Sequence, residues 1–248
     1  IMDIVIYSLM FFALTCIGSF IGVCFERIPE GESIIKGRSH CESCGKTLKG
    51  YELVPIISYL FLRGRCSKCK KKIPLRCLGI EFFTAVFGII PLIMYGVSVQ
   101  GFAYCAISCI LFEIALLDFK TMEISDFASL LIGLIGIAMM IYQGSYLSSL
   151  IGAVCVSIPF LVFALCGVMG YGDVKLMAAV GVLLGIKGVL FAAFAGIVIG
   201  CFAAIILKFR KTHDWKSEIA FGPYLCIGSY LSMLIGPTCV DLYLSILK

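Results

Sequence analysis

Apolar runs suited to crossing a lipid bilayer recur along nearly the whole of this chain, and that one feature excludes most of fold space. They cover residues 4–25, 82–99, 102–117, 127–142, 147–168, 174–184, 189–207 and 219–235. A hydrocarbon core about 30 Å thick takes roughly 20 apolar residues of helix. The runs lack the period-two alternation of a barrel strand, so the spans are predicted as helices, which satisfy their own backbone groups in lipid. Composition agrees: 61% of the 248 residues are hydrophobic, only 14% are charged, and the mean hydropathy is +1.07. A water-soluble globule of this composition has too little polar surface to cover its core. Collagen-like, disordered and soluble nucleic-acid-binding classes are excluded with it. The expected fold class is an all-α polytopic membrane protein with about eight transmembrane helices. Asp3 is the only early charge, so the first run reads as a span and not as a signal peptide.

Charge sets the expected orientation. Twelve of the 20 Lys and Arg lie between Arg27 and Arg76, against Glu30, Glu32, Glu42 and Glu52, a net of +8 in that segment. Between apolar spans such a block reads as a cytoplasmic loop, not as a nucleic-acid surface. The sixth run is short, and Gly185-Ile-Lys-Gly188 can instead be a kink in one longer helix. With eight spans and both termini outside, the interior loops also collect Lys120, Lys175, Lys208, Arg210, Lys211 and Lys216, leaving only Lys187 and Lys248 outside. The expected domains are therefore a first transmembrane helix (1–26), a cytoplasmic loop domain (27–79) and a helix bundle (80–248). No internal repeat points to a transporter built from duplicated halves.

The 14 cysteines fall into two populations. Nine sit in or beside apolar runs, where a thiol packs as a small hydrophobe. In the polar loop, Cys41-Glu-Ser-Cys44 and Cys66-Ser-Lys-Cys69 form two C-x2-C pairs with 21 residues between them. Two such knuckles can present four thiolates tetrahedrally, the arrangement of structural zinc, and the neighbouring Lys46, Lys68, Lys70, Lys71 and Lys72 offset the negative charge. A loop this small and polar needs a staple to fold. Iron–sulfur, redox and unmetallated alternatives stay open. Four protein ligands leave no coordination position for catalysis, and Cys77 is a bystander.

Acids are scarce in the apolar part, where they are costly unless paired or functional. Asp118 closes the third run, and Asp173 opens the sixth within Gly170-Tyr-Gly172-Asp173-Val-Lys175. Both are expected at the same membrane face. Two carboxylates brought within about 3–5 Å share one proton, so one can activate water while the other protonates the scissile group. The simpler reading of each is a solvated or helix-capping acid. Asp126 fits that reading well and Glu123 is a loop acid, while Glu113 is either a buried partner of the site or a packing hydrogen-bonder. No Ser–His pair presents itself: His40 lies in the cysteine loop and His213 in a charged loop.

These motifs together resemble the type IV prepilin peptidases, a family of intramembrane aspartic proteases with a G-x-G-D signature. Gly18-Ser-Phe-Ile-Gly-Val-Cys-Phe-Glu-Arg-Ile-Pro29 resembles the family's first-span ending. Ser39-His-Cys41-x2-Cys44, Pro55-Ile-Ile-Ser-Tyr59, Gly64-Arg-Cys66-x2-Cys69 and Glu81 resemble its zinc loop, and Phe221-Gly-Pro223-Tyr its last-span motif. The resemblance implies Asp118 and Asp173 as the catalytic pair, with Gly170, Gly172 and Lys175 as motif support, and Cys41, Cys44, Cys66 and Cys69 as ligands of structural zinc. Ser125 and Cys77 depart from the family pattern.

The resemblance also implies a bacterial inner-membrane enzyme that cleaves the leader of prepilin or pseudopilin helices at the cytoplasmic face, after Gly. N-methylation of the new N-terminus from S-adenosylmethionine follows in many members. No fingerprint for that methyl donor is visible, so its binding residues are unknown. Lys175 is expected either to act on Asp173 or on developing negative charge, or to serve as a positive-inside anchor. Competing readings are a peptidase alone, an ion-coupled transporter using the same acids, and a non-catalytic assembly factor.

Overall fold

A computed structural model describes residues 2–41, 43–209 and 220–246. Arg210, Lys211, His213, Lys216 and Lys248 lie outside the described residues, as does Glu42. The described residues form helices, with two isolated β-bridges and no strand. Two compact units are present, Ile1–Cys109 and Ile110–Lys248.

In the first unit, α1 (Met2–Arg27) leads into a polar segment that contains the short α2 (Ile57–Phe61), and α3 (Leu75–Tyr95) follows. Helices α1 and α3 approach closely where side chains are absent. A Cβ on Gly18 would lie 2.8 Å from the Glu81 Cα, and one on Gly88 would lie 2.9 Å from a Leu14 methyl. Small residues permit such contact between apolar helices, where dispersion and not water exclusion holds them together. Helix α3 ends at Gly96, whose φ of 68° breaks the helix, so the expected run to Val99 is divided and Val99 begins α4 (Val99–Thr121).

The second unit contains the end of α4, α5 (Asp126–Gln143), α6 (Tyr146–Cys155), α7 (Ser157–Leu165), α8 (Tyr171–Phe209) and α9 (Gly222–Ile246). Gly185, with φ 66° and ψ −175°, interrupts α8. An unbroken helix would separate residues 172 and 200 by about 42 Å. Instead both lie near the start of α9. Ile124 reaches both Gly172 and Gly222, and a Cβ on Gly200 would lie 3.0 Å from the Phe221 ring. The chain therefore doubles back at Gly185 into two antiparallel arms, 171–184 and 186–209. The first arm packs on α5 and α6, with Gly136 against Leu183 and Gly152 against Gly181. The second packs on α9, where the Ser232 hydroxyl donates to the Gly188 carbonyl at 2.6 Å. Gly185-to-Gly188 is thus a reversal and not a kink in one long rod.

Six segments of the described residues are long and apolar enough to cross a membrane, and the last of them, 171–207, is the doubled-back one. The chain is a multi-pass membrane protein.

Candidate metal centre and acidic site

The polar segment of the first unit is built from two copies of one turn. Cys41 N–H bonds to the Lys46 carbonyl, Gly45 N–H to the Cys41 carbonyl and Leu48 N–H to the Ser39 carbonyl. Twenty-five residues later, Cys66, Lys70 and Ile73 repeat the pattern onto Lys71, Cys66 and Gly64. The fifth residue of each turn is left-handed, Gly45 at φ 64° and Lys70 at φ 59°. Each hairpin turns its two cysteines inward, and the four sulfurs of Cys41, Cys44, Cys66 and Cys69 lie within 4.8 Å of one another. A tetrahedral zinc with Zn–S bonds of about 2.3 Å places its sulfurs about 3.8 Å apart. The 3.9 Å between the Cys41 and Cys69 sulfurs matches that edge, so the donor set fits the ion. Cys77 stands in α3, outside the cluster.

Backbone dipoles prepare these thiols for a cation. N–H groups of Cys69 and Lys68 point at the Cys66 sulfur and bring it down to about 6. Those of Ser43 and Cys44 lower Cys41. Cys69 moves up to about 11: a Lys71 N–H favours its thiolate, but desolvation and the hydrogen bonds shared with the other three sulfurs outweigh that.

Glu52 ties the two hairpins together. It is 6% exposed, accepts from Lys46 Nζ at 2.7 Å and Ser67 Oγ at 2.5 Å through Oε1, and from the Lys49 N–H at 2.8 Å through Oε2. Lys46 also donates to Ser67. The ammonium, the hydroxyl and the amide together hold the Glu52 carboxyl down at about 2. A second acid, Glu81 of α3, accepts the Ile56 N–H at 2.7 Å. Ile56 has φ 59° and ψ −52°, with the Ile57 N–H on the Pro55 carbonyl, which is a strained γ-turn for a β-branched residue. A cavity of about 240 Å³ lies beneath the hairpins against the ends of α1 and α3. Its acids Glu26, Glu52 and Glu81 are already engaged, Glu26 by Arg76 at 2.8 Å.

Two buried acids of the second unit lie at the same end, at the start of α9, while Asp241 pairs with Lys187 near the other end. Asp118, near the end of α4, is 4% exposed, and Asp173, in the first turn of α8, is 6% exposed. Each lies within reach of the other's charge, and buried Cys226 of α9 feels both. Gly222, the first residue of α9, donates its N–H to the Asp118 carboxylate. A Cβ on Gly222 would sit 2.7 Å from Asp118 Oδ2, so only glycine lets the backbone come this close. Asp173 accepts from the Gly170 N–H, while its own N–H bonds to the Gly170 carbonyl at 3.2 Å. The Asp173 carboxylate thus caps a backbone N–H at the start of α8, so the helix-capping reading of Asp173 holds for part of its carboxylate. Asp118 Oδ2 and Asp173 Oδ1 are buried with no hydrogen-bond partner among the described residues. An unpaired buried acceptor costs about 1–3 kcal/mol. Two such oxygens in one place constitute a site equipped to receive a polar group.

The remaining predicted residues fall beside this site. Lys175 Nζ pairs with both oxygens of Asp126, at 2.7 and 2.8 Å. Asp126 is not the N-cap of α5. Ser125 takes that position, its Oγ accepting the Ala128 N–H at 3.4 Å. The departure from the family pattern at Ser125 thus carries its own cap. Glu113 lies half-buried in α4. Ile124, which no sequence argument singled out, contacts both glycine positions beside the two acids.

Comparison with known proteins accounts for both regions. The description "Bacterial Peptidase A24 N-terminal domain" matches residues 12–95, which hold the four cysteines, and "Type IV leader peptidase family" matches residues 105–205, which hold both aspartates. A prepilin leader peptidase/N-methyltransferase of Bacillus subtilis is 31% identical over 243 residues, covering 96% of this chain and 97% of that protein. The chain belongs to the type IV leader peptidase family. Proteins of the same description from Xanthomonas campestris pv. campestris (31% identical, 89% of this chain, 79% of theirs) and Aeromonas hydrophila (28%, 96% and 94%) are similar over comparable spans. No solved structure matches. The family match ends at residue 205, so Gly222, which donates to Asp118, lies beyond it.

Proposed function

We propose that this chain hydrolyses the leader peptide bond of prepilin-like proteins with Asp118 and Asp173 as the catalytic pair, and then methylates the new N-terminus. The observation that carries the peptidase half is the meeting of two buried carboxylates, each with one oxygen unpartnered, in a chain of this family. The substrate's apolar helix lies in the bilayer and its leader on the cytoplasmic side. The scissile bond, on the carboxyl side of a Gly, lies extended between the acids.

One carboxylate takes a proton from water as the oxygen adds to the carbonyl carbon, and the other, protonated, donates to the carbonyl oxygen. The resulting gem-diol collapses, the C–N bond breaks, and the amine leaves with a proton. The Gly222 N–H holds Asp118 and the Gly170 N–H holds Asp173 in their rotamers throughout. S-adenosylmethionine, when bound, would supply the methyl group for the freed amine. The support for methylation is the name shared by the relatives.

The same reading makes the four cysteines ligands of a structural zinc in a cytoplasmic domain spanning 27–79, between a first helix (1–26) and a catalytic bundle (80–248). The bundle and first helix make eight crossings of the bacterial inner membrane, with the arms 171–184 and 186–209 as separate crossings. The excess of Lys and Arg in the odd-numbered loops supports placing the zinc loop and both aspartates on the cytoplasmic side.

The test is leader cleavage by the purified protein in detergent. Asp118→Asn and Asp173→Asn are expected to abolish it while leaving the zinc content at one per chain. Normal cleavage by either variant would overturn the assignment. Labelled S-adenosylmethionine should mark the mature N-terminus, and absence of label would leave a peptidase alone.

A further inference from the structure

Ile124 occupies the space between the two acids' glycine neighbours. Its Cβ, Cγ1 and Cδ1 lie 2.8, 3.4 and 3.5 Å from where a side chain on Gly172 would begin, and its Cδ1 lies 3.0 Å from the same point on Gly222. Gly172 immediately precedes Asp173, and Gly222 touches Asp118. One branched side chain therefore spans the site from the backbone of one acid to the backbone partner of the other. It is carried on the short α4–α5 connection, two residues after Met122, a non-glycine residue held at φ 56°. The space left beside Ile124 admits backbone at both ends and a Cβ at neither.

We propose that Ile124 is the specificity-determining residue of the peptidase, the wall that restricts the acyl-side residue of the cleaved bond to glycine. This rests on the peptidase reading above. A substrate segment stretched between the unpartnered oxygens of Asp118 and Asp173 runs against the same side chain that already excludes a methyl from Gly172 and Gly222. A glycine passes at backbone distance. An alanine meets Ile124 as a third Cβ would. Pockets built from apolar walls discriminate one methyl by about 10–200-fold, so the whole preference for Gly over Ala can come from this one contact. An Ile124 that served only to pack α5 against α8 and α9 would affect every substrate alike.

The experiment compares two leader-bearing substrates, identical except for Gly or Ala before the scissile bond, with the full chain in detergent. Ile124→Ala is expected to raise the Ala-to-Gly ratio of kcat/KM by about tenfold or more, and Ile124→Val by a smaller factor. A ratio unchanged in both variants overturns the proposal, as does an equal loss on both substrates. Should Ile124→Ala cleave neither, competition between the two substrates for binding to Ile124→Ala/Asp173→Asn and to Asp173→Asn alone decides the matter. An Ala penalty that persists without Ile124 overturns the proposal, and one that shrinks supports it. If the native chain cleaves neither substrate, it is the peptidase reading that fails.

Discussion

The cysteine module and the acidic end of the second unit are both compact clusters of ionisable groups, yet they treat their polar atoms in opposite ways. In the module every group that matters has a partner. Glu52 is held by an ammonium, a hydroxyl and an amide, and each cysteine pair sits on a hydrogen-bonded turn. At the acidic end each aspartate keeps one oxygen bonded and one oxygen bare, both buried. Full satisfaction fixes a shape, and deliberate incompleteness leaves capacity for chemistry. The contrast supports the proposed division, architecture in the first cluster and reaction in the second.

The sharpest way to break this contrast is to remove charge from the bare oxygens alone. Asn at position 173 can still accept the Gly170 N–H, so Asp173→Asn should keep the α8 cap while losing cleavage by at least about 10²–10⁴-fold. Retained helicity by circular dichroism with lost turnover is the expected pair of readings. Loss of both together would mean that the carboxylate is chiefly a cap.

Next in size is Gly222→Ala. The new methyl would stand 2.7 Å from Asp118 Oδ2 and 3.0 Å from Ile124 Cδ1, so either the carboxylate or the start of α9 must move. Displacements of about 1 Å at a reacting group cost roughly 10²-fold in rate. Leader cleavage should fall by that order while zinc content stays at one per chain. An unaffected rate would show that Asp118 tolerates a shifted partner.

Much of this was legible in the sequence, and the gaps have physical reasons. Apolar length announces helices, and C-x2-C spacing announces a metal-binding turn, because both are local properties. The two aspartates stood out because acids are scarce in the apolar part of the chain. Gly222 stood out only as part of Phe221-Gly-Pro223-Tyr, with no role attached, and Ile124 did not stand out. A glycine needed for close approach and an isoleucine filling the gap have no local signature, and their roles exist only once α4, α5, α8 and α9 meet. Glu52 was equally hidden, as one of four acids in a loop of twelve cations. Lys175 had two readings, as a partner of Asp173 or as a positive-inside anchor. Its nearness to Asp173 in sequence suggested a partnership, but two residues turn a helix by more than half a revolution, and Lys175 pairs with Asp126 at the start of α5.

On the module side, Cys66→Ser removes one of four donors and should let a chelator strip the zinc from a protein whose helices persist. Glu52→Gln is subtler, since the amide keeps the shape and loses the charge. Because Lys46, Ser67 and the Lys49 N–H hold the Glu52 carboxyl at about 2, below its ordinary 4.5, its contribution to folding is complete above the ordinary value. It is lost as pH falls from about 4.5 toward about 2. Amide exchange of the hairpin N–H groups should therefore be faster in Glu52→Gln at neutral pH, with the difference from native closing across that window. A difference that persists unchanged at pH 2 would mean that shape, not charge, is what Glu52 supplies.

The smallest effect is expected at the boundary between the two kinds of behaviour, the Asp126–Lys175 pair. It has good geometry, two contacts at 2.7 and 2.8 Å, and it joins the start of α5 to the start of α8 two residues beyond Asp173. Both side chains are nevertheless mostly exposed, at 72% and 55%. Exposed ion pairs contribute about 0.2–1 kcal/mol and are screened by salt. Asp126→Asn should then cleave leader within about fivefold of native at low salt, and the two rates should converge as ionic strength rises. The measurement discriminates because Asp126 lies so near the site. A loss comparable to that of Asp173→Asn, insensitive to salt, would make Asp126 a reacting group, and the bare oxygens of Asp118 and Asp173 would no longer suffice to define the chemistry.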